Sequence, residues 1–598
     1  MAIIYETYPQ DDKLVMSNKD TTHTGEKKIK PIWKKVFVLL TCLSFYFAYN
    51  SSSLFGSGMG SFCSMSSTTS TSSSSNCPSI KPLSPSFENS SVDKILHDPE
   101  FKKQAIEKFS GAIKIDTEVQ DNNPPPKENR QYWSQFTKFQ DYLKQTFPLT
   151  FANLNLDIVN EFGMVLTWEG SDSELKPMML TAHQDVVPVN PSTVDQWTYP
   201  PYSGAYDKET DTIWGRGSFD CKNLLIGELQ AVETLLKDGF HPTRTVLVVF
   251  GFDEESSGVH GATTLSKFLL EKYGSDSIYS IVDEGFGIIK VSEDIYMATP
   301  ITGEKGHLNS LFEIKGHGGH SSSPPMSGHT NIGVAAKLIS LLEDTPFEAT
   351  YTPENPVWNL LTCLAEHSSV FDSETKRVIK KSGTSPKYQK ILLEFLLESQ
   401  LFKELVRTSQ AVDIINGGVK SNALPEEVSF VVNHRIEVGS SVQETINHDL
   451  DAAQSIADIY NYGLKYQDEF LLPETENGYI AYDYSSELEP APVSPHNNSV
   501  WEVFSQSIQE TYENGVFASS EKDISFYVTE SLATFNTDTK CYWDLTRNIY
   551  RFQAVILGVD SLKAFHSVNE HIPVNDHLST IAFVYNYILN VNEYKSSD

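Results

Sequence analysis

The sequence repeats one arrangement: an apolar run that ends in side chains able to bind a metal. "MMLTAHQDVVPV" delivers His183 and Asp185, "WGRGSFDCKN" delivers Asp220, and "TVLVVFGFDEESSGVHGA" delivers Glu254 and Glu255. "IYSIVDEG" ends in Asp283 and Glu284, and the distant "KAFHSVNEHIPV" contributes His566. Any one such acid is more commonly a helix cap or a surface charge. Several carboxylates that converge repel one another unless a cation joins them, and carboxylates are not left unpaired in an apolar interior. Two imidazoles and three carboxylates without a thiolate exceed what one tetrahedral zinc takes. They suit two ions about 3.5–4 Å apart that share a carboxylate and a water. Zinc is the default ion, with cobalt or manganese as alternatives.

For these residues to meet, the elements that carry them must end on one side of the molecule. The segments 178–189, 245–252 and 278–285 read as buried strands, and 222–240 and 261–274 have the apolar spacing of helices. Strand and helix alternate through short connections, which predicts an α/β fold with a mostly parallel central sheet and helices on both faces. In such sheets ligands bind at the carboxyl ends of the strands, where the acids and His183 fall.

Composition narrows the class. The chain has 598 residues and a formal charge of −32, which argues against a nucleic-acid partner. Six cysteines in a chain of this length do not make a disulfide framework. Cys63 and Cys77 are close enough in sequence to pair, but nothing demands it.

The first residues differ from the rest. Lys27, Lys28, Lys30, Lys34 and Lys35 precede the apolar run 36–49, and no charged residue follows until Lys81. That asymmetry predicts a cytosolic tail (1–31), a single-pass signal anchor (32–55) and the bulk of the chain on the lumenal side. The run is short against the ~20 residues of a bilayer span, so a cleaved signal peptide or a buried helix remain alternatives. Of the thirty residues 51–80, seventeen are Ser or Thr, and 56–95 is expected to be a stalk. N-x-S triplets at Asn89 and Asn497 fit a lumenal location.

The motifs "TAHQDVVPV", "GRGSFDCKN", "DEESSGVHGA", "IVDEG", "GHGGHSSSPP", "GGVKSNALP" and "HSVNEHI", in this order, resemble those of the M20 family of metallopeptidases. The resemblance spans about residues 92–590. It implies a di-zinc catalytic domain (96–304 and 441–598) interrupted by a smaller α/β lid and dimerisation domain (305–440). It implies that His183 and His566 each bind one zinc and that Asp220 bridges the two. Glu255 and Asp283 would complete the shells, although the sequence does not separate Asp283 from its neighbour Glu284. Asp185 would orient His183, and Glu254 would be the general base. His320 would stabilise the oxyanion from a dimer partner, while Asn422 and Arg435 would hold the substrate carboxylate. Lys540-Cys541 stand where the resemblance leads one to expect Arg-Tyr.

The implied activity is removal of the C-terminal residue from short peptides of the Gly-Xaa type, by a vacuolar or otherwise lumenal type II membrane protein that forms a homodimer. A hydrolase of N-acyl amino acids on the same scaffold is the alternative, because both substrates place a free carboxylate beside a scissile amide. A non-catalytic binding or sorting protein is the third reading.

Overall fold

Residue parity on the strands sets the architecture. The computed structural model describes residue 77 and residues 79–326, 329–399 and 402–594. On the strand Val246–Gly251, Val246, Val248 and Phe250 join one buried apolar cluster while Leu247 and Val249 join another. On Met178–His183, Met178 and Leu180 part from Met179 in the same way. Strands buried on both faces need cover on both. The helices Lys222–Lys237 and Val574–Glu593 cover one face, and Ala262–Tyr273 covers the other.

The main sheet has eight strands in the order Asn155–Val159, Gly163–Trp168, Val246–Gly251, Met178–His183, Ser280–Asp283, Ile549–Arg551, Ile301–Glu304 and Ser531–Ala533. Its centre, from Val246–Gly251 to Ile549–Arg551, is parallel, and Gly163–Trp168 flanks it antiparallel. This is the mixed α/β sheet with helices on both faces that the alternating pattern predicts.

A second sheet has six strands, in the order Ser409–Gly417, Glu427–Ile436, Gly306–Gly316, Gly478–Leu488, Gly463–Tyr466 and Glu469–Leu472. Alternate residues of Gly306–Gly316 face a core closed by the helices Asn331–Asp344 and Val442–Tyr460. The two sheets join at Lys305, whose Nζ donates 2.8 Å bonds to the carbonyls of Glu404 and Arg407. At this crossing only glycine fits, since a Cβ on Gly306 would lie 2.6 Å from the Leu488 carbonyl oxygen.

The domain limits differ from expectation in three places. The smaller domain does not end at 440: the helix Val442–Tyr460 and the strands through Leu488 complete its sheet and core. Within the expected insert, the helices Val357–His367, Ser373–Ser382 and Pro386–Leu397 pack into the main core instead. Periodicity locates a helix but does not say which sheet it covers. The expected stalk stops short of 95, because Leu83 and Phe87 pack on the main core, the Leu83 carbonyl accepts from Asn590, and Ser91 bonds to Asp238 and Tyr585.

Cys77 pairs with Cys363 across 286 residues, so the local Cys63–Cys77 pairing is corrected. Cys63, the cytosolic tail, the apolar segment and the Ser/Thr-rich stretch to residue 76 lie outside the described residues. No helix among the described residues is long and apolar enough to cross a membrane.

Replacing Cys363 with Ser is expected to cost about 2–5 kcal/mol of stability, because the bridge closes a long loop. Denaturant unfolding of the variant and of the reduced parent would show the same lowered midpoint; an unchanged midpoint in both would contradict a structural role.

Candidate metal centre

The acids meet where the parallel strands end. His183 is the last residue of its strand, and its Nδ1 lies 3.0 Å from the Asp185 carbonyl and 3.3 Å from Asp185 Oδ1. Asp185 also accepts the backbone N–H of Glu254 (3.2 Å) and of Glu255 (3.0 Å). One buried carboxylate thereby ties the imidazole of one strand end to the turn at the next. That turn, Glu254–Ser256, is closed by Asp253, which accepts from the N–H groups of His260 and Gly261 at 2.7 Å each. Gly251 precedes it because a Cβ there would stand 2.5 Å from Asp538 Oδ2.

Asp220 sits between the two histidines. His183 Nε2 is 3.1 Å from its Oδ1, and His566 Nε2 is 2.7 Å from its Oδ2. Its placement comes from Glu570, which accepts from the N–H groups of Phe219 and Asp220 and from Arg216 Nη1 at 2.7 Å. Glu570 thus binds the loop that carries His566 to the loop that carries Asp220. His566 has a left-handed backbone, with φ of +53°.

Two donor groups result. Atoms of His183, Asp220, Cys221 and Glu284 lie within 4.8 Å of one another, as do atoms of Asp220, Glu255 and His566. Asp220 belongs to both. Glu284 Oε1 is 3.6 Å from His183 Nε2, and Asp283 Oδ1 accepts the N–H of Glu284 at 2.8 Å. Of the two adjacent acids, Glu284 contributes an atom to the first donor group, while Asp283 Oδ2 is buried without a hydrogen-bond partner among the described residues. The doublet "DE" was the signal, but choosing between its members needs the direction of the chain after the strand.

The electrostatics of this edge call for a cation. Burial, and then Asp220, push the carboxyls of Glu255 and Glu284 above their usual range. Burial and then Glu284 do the same to Glu254. Burial would raise Asp220 too, yet His183 and His566 hold it well below the usual range. Burial would depress His566, but Asp220 and Glu255 push it up to about 12. Glu255 Oε1 and Asp283 Oδ2 are buried without a hydrogen-bond partner among the described residues. Two donor groups with a shared carboxylate and an orphaned buried oxygen fit a pair of divalent ions.

The remaining expected residues lie on the smaller domain. His320 is exposed, its Nδ1 is 2.8 Å from Ser322 Oγ, and its strand pairs with Ala423–Leu424. Asn422 is beside it, its carbonyl accepting the Ser321 N–H. Arg435 lies apart from both, opposite His307 in the sheet, and donates to Asn536 Oδ1 at 3.4 Å. Lys540 lies near the donor groups: burial would lower its ammonium, but Glu254 and Asp538 raise it. Cys221, directly after Asp220, adds a sulfur to the first donor group, which the sequence pattern of two imidazoles and three carboxylates does not include.

The chain is similar to known proteins over most of its length. Residues 179–590 match the profile of peptidase family M20/M25/M40. The chain is 52% identical over 519 residues to Carboxypeptidase S of Saccharomyces cerevisiae, covering 87% of this chain and 89% of that one. It is 29% identical over 494 residues to a human N-fatty-acyl-amino acid synthase/hydrolase, covering 81% and 87%. Among solved structures, the di-peptidase Dug1p of Saccharomyces cerevisiae superposes with a TM-score of 0.54 at 13% identity, over 86% of this chain and 100% of that one. The M20 family metallo-carboxypeptidase Sso-CP2 of Sulfolobus solfataricus gives 0.55 at 16%, over 82% and 99%. Those two establish the fold, and the sequence match extends over most of the chain: it belongs to peptidase family M20/M25/M40.

Proposed function

We propose that this chain is a di-zinc carboxypeptidase that cleaves the C-terminal amide bond of short peptides of the Gly-Xaa type. The observation that carries the reading is the sharing of Asp220 between two donor groups, with Glu254 at the same edge and in neither group. His183, Asp220 and Glu284 would hold one zinc, and Asp220, Glu255 and His566 the other; cobalt or manganese are the alternatives. When bound, the ions supply a polarised scissile carbonyl and a more acidic water.

The chain's own residues do the rest. Glu254 accepts a proton from the attacking water and returns it to the leaving amine. Burial suits it to this, since a carboxyl held above its usual range is a better proton carrier near neutral pH. Asp185 positions Glu254 and His183 together through its three contacts. Arg435 would receive the substrate carboxylate through its planar fork, and Asn422, which lies beside His320, would reach it with His320 from the other protomer. The identity to Carboxypeptidase S favours peptides. The weaker identity to the N-fatty-acyl-amino acid synthase/hydrolase keeps N-acyl amino acids as the second reading.

The chain works as a homodimer in which His320 of one protomer reaches the other's site to steady the developing oxyanion. The strand Ser409–Gly417 supports this, because it is an edge of the smaller sheet and exposes Ile414 and Ile415, each more than half accessible. Exposed apolar edges invite pairing with a second copy. The chain is lumenal, anchored by residues 32–55 with its N-terminus cytosolic, in a vacuole or similar compartment. The Cys77–Cys363 bridge supports an oxidising compartment, and Asn89 and Asn497 are both exposed.

Glu254→Gln is expected to lower hydrolysis of a Gly-Leu-type dipeptide by ~10²–10⁴-fold while the fold is unchanged; full turnover would remove Glu254 from the base role. The same assay with N-acyl amino acids, with and without chelator, ranks the two substrate classes. Mixing His320→Ala chains with Glu254→Gln chains, each inactive alone, is expected to restore activity, because one site in each mixed dimer carries both groups. A dead mixture of exchanging subunits would place His320 in cis or outside catalysis. Protease added to intact membranes is expected to remove only the first ~30 residues, as the positive-inside rule requires; digestion of the catalytic region would overturn the orientation.

A further inference from the structure

Part of what holds the turn Glu254–Ser256 lies upstream of residues 179–590, the stretch that matches the family profile. Residues 117–119 pair with the chain around Asp185. The Val186 N–H donates to the Thr117 carbonyl at 3.1 Å, the Val119 N–H donates to the Val186 carbonyl at 3.2 Å, and the Thr117 hydroxyl donates to the Gln184 carbonyl at 2.7 Å. A few residues on, the same segment reaches the turn. Asn123 Nδ2 donates to Ser256 Oγ at 2.5 Å across 133 residues of sequence, and the Ser256 hydroxyl donates in turn to the Asp253 carbonyl at 3.2 Å. Asn123 is itself aimed, because its Oδ1 accepts from the Tyr132 hydroxyl and from the Gln120 N–H. Beneath it, the Trp133 ring packs on Phe252, just before the turn, and Trp133 Nε1 donates to the Pro124 carbonyl at 2.9 Å. A loop asparagine ordinarily bonds to its own turn. Here both ends of the amide are committed, and one of them goes to the turn that carries Glu254 and Glu255.

We infer that Asn123 is a positioning residue for Glu254 and Glu255, and that residues 117–133 brace the end of the His183 strand against the Glu254–Ser256 turn. The inference rests on the roles proposed above for the two glutamates. Adjacent acids in a dry site repel each other, so the turn that carries them needs support from outside. Asp185 supplies it at the N–H groups of Glu254 and Glu255, and Asn123 supplies it at Ser256, the last residue of the turn. The segment that carries Asn123 is also bonded to Gln184 and Val186, on either side of Asp185. One stretch of chain therefore sets the spacing between His183 and Asp185 on one side and the two glutamates on the other. Asn123 acts through Ser256 and touches neither substrate nor ion; it fixes where Glu254 stands relative to the attacking water. Productive catalytic geometry tolerates only about 0.5 Å of error, so a loosened turn lowers turnover more than it lowers substrate binding.

The test is steady-state hydrolysis of a Gly-Leu-type dipeptide by the zinc-loaded full chain, for the parent, Asn123→Ala, Ser256→Ala and the double variant, with zinc content and melting temperature measured beside it. Each single variant is expected to lower kcat by ~10-fold or more, toward the ~10²-fold that a misplacement of about 1 Å costs, with KM, zinc content and melting temperature close to the parent's. The double variant is expected to be no slower than the slower single one, because both changes remove the same bond. Parent kcat in Asn123→Ala, a loss confined to KM, or losses that multiply in the double variant would overturn the inference. Tyr132→Phe removes only the hydroxyl that holds Asn123, and is expected to lower kcat in the same direction by less; it decides the matter if Asn123→Ala does not fold, and parent kcat there would overturn the inference too. Glu254→Gln separates the two readings. Full turnover in that variant would remove the base role on which the inference rests, whereas an inactive Glu254→Gln chain beside an Asn123→Ala chain with parent kcat would overturn the bracing alone.

Discussion

Like charges do not share a dry site unless something of opposite sign joins them. Asp185, Asp220, Glu254, Glu255, Asp283 and Glu284 all converge on one edge of the main sheet, and two imidazoles are too few to balance them. The strain appears in their proton affinities: Glu254, Glu255 and Glu284 are pushed toward the neutral form, while Asp220, held between His183 and His566, stays ionised. The proposed pair of divalent cations would resolve this conflict and would account for two groups of donors overlapping in a single carboxylate.

Much of the fold serves to hold that arrangement. The parallel centre of the sheet brings the three strand ends to one edge, and its two buried faces keep them rigid through packing with Lys222–Lys237, Val574–Glu593 and Ala262–Tyr273. Two buried carboxylates then act on the backbone rather than on a ligand. Asp185 fixes the turn of Glu254 and Glu255, and Glu570 fixes Phe219 and Asp220 while bonding to Arg216. Such supporting groups raise the precision of a site more than its affinity for any one partner.

The α/β sheet was legible in the alternation of strand and helix, and the meeting of His183, Asp220, Glu255 and His566 at one edge in the motifs that carry them. What stayed hidden depends on three-dimensional direction. Asp283 and Glu284 are adjacent acids, and only the path of the chain after the strand shows that Glu284 faces His183. The bridge from Cys77 to Cys363 spans 286 residues, so no spacing rule could find it. The helix Val442–Tyr460 has an apolar face, but the sheet that receives it is set by packing, which moved the domain limit from 440 to beyond Leu488. The same limit applies to His320, Asn422 and Arg435, whose place in a motif does not tell how near the centre they come.

The central claim is that the acidic edge is a site for two cations that share Asp220. The direct measurement is metal content and calorimetric titration of the chelator-stripped chain with zinc, for the parent and for Asp220→Ala. The account predicts two ions per chain in the parent, and weakened binding at both positions in the variant. One ion or none in the folded parent, or two undiminished binding steps in Asp220→Ala, would contradict it.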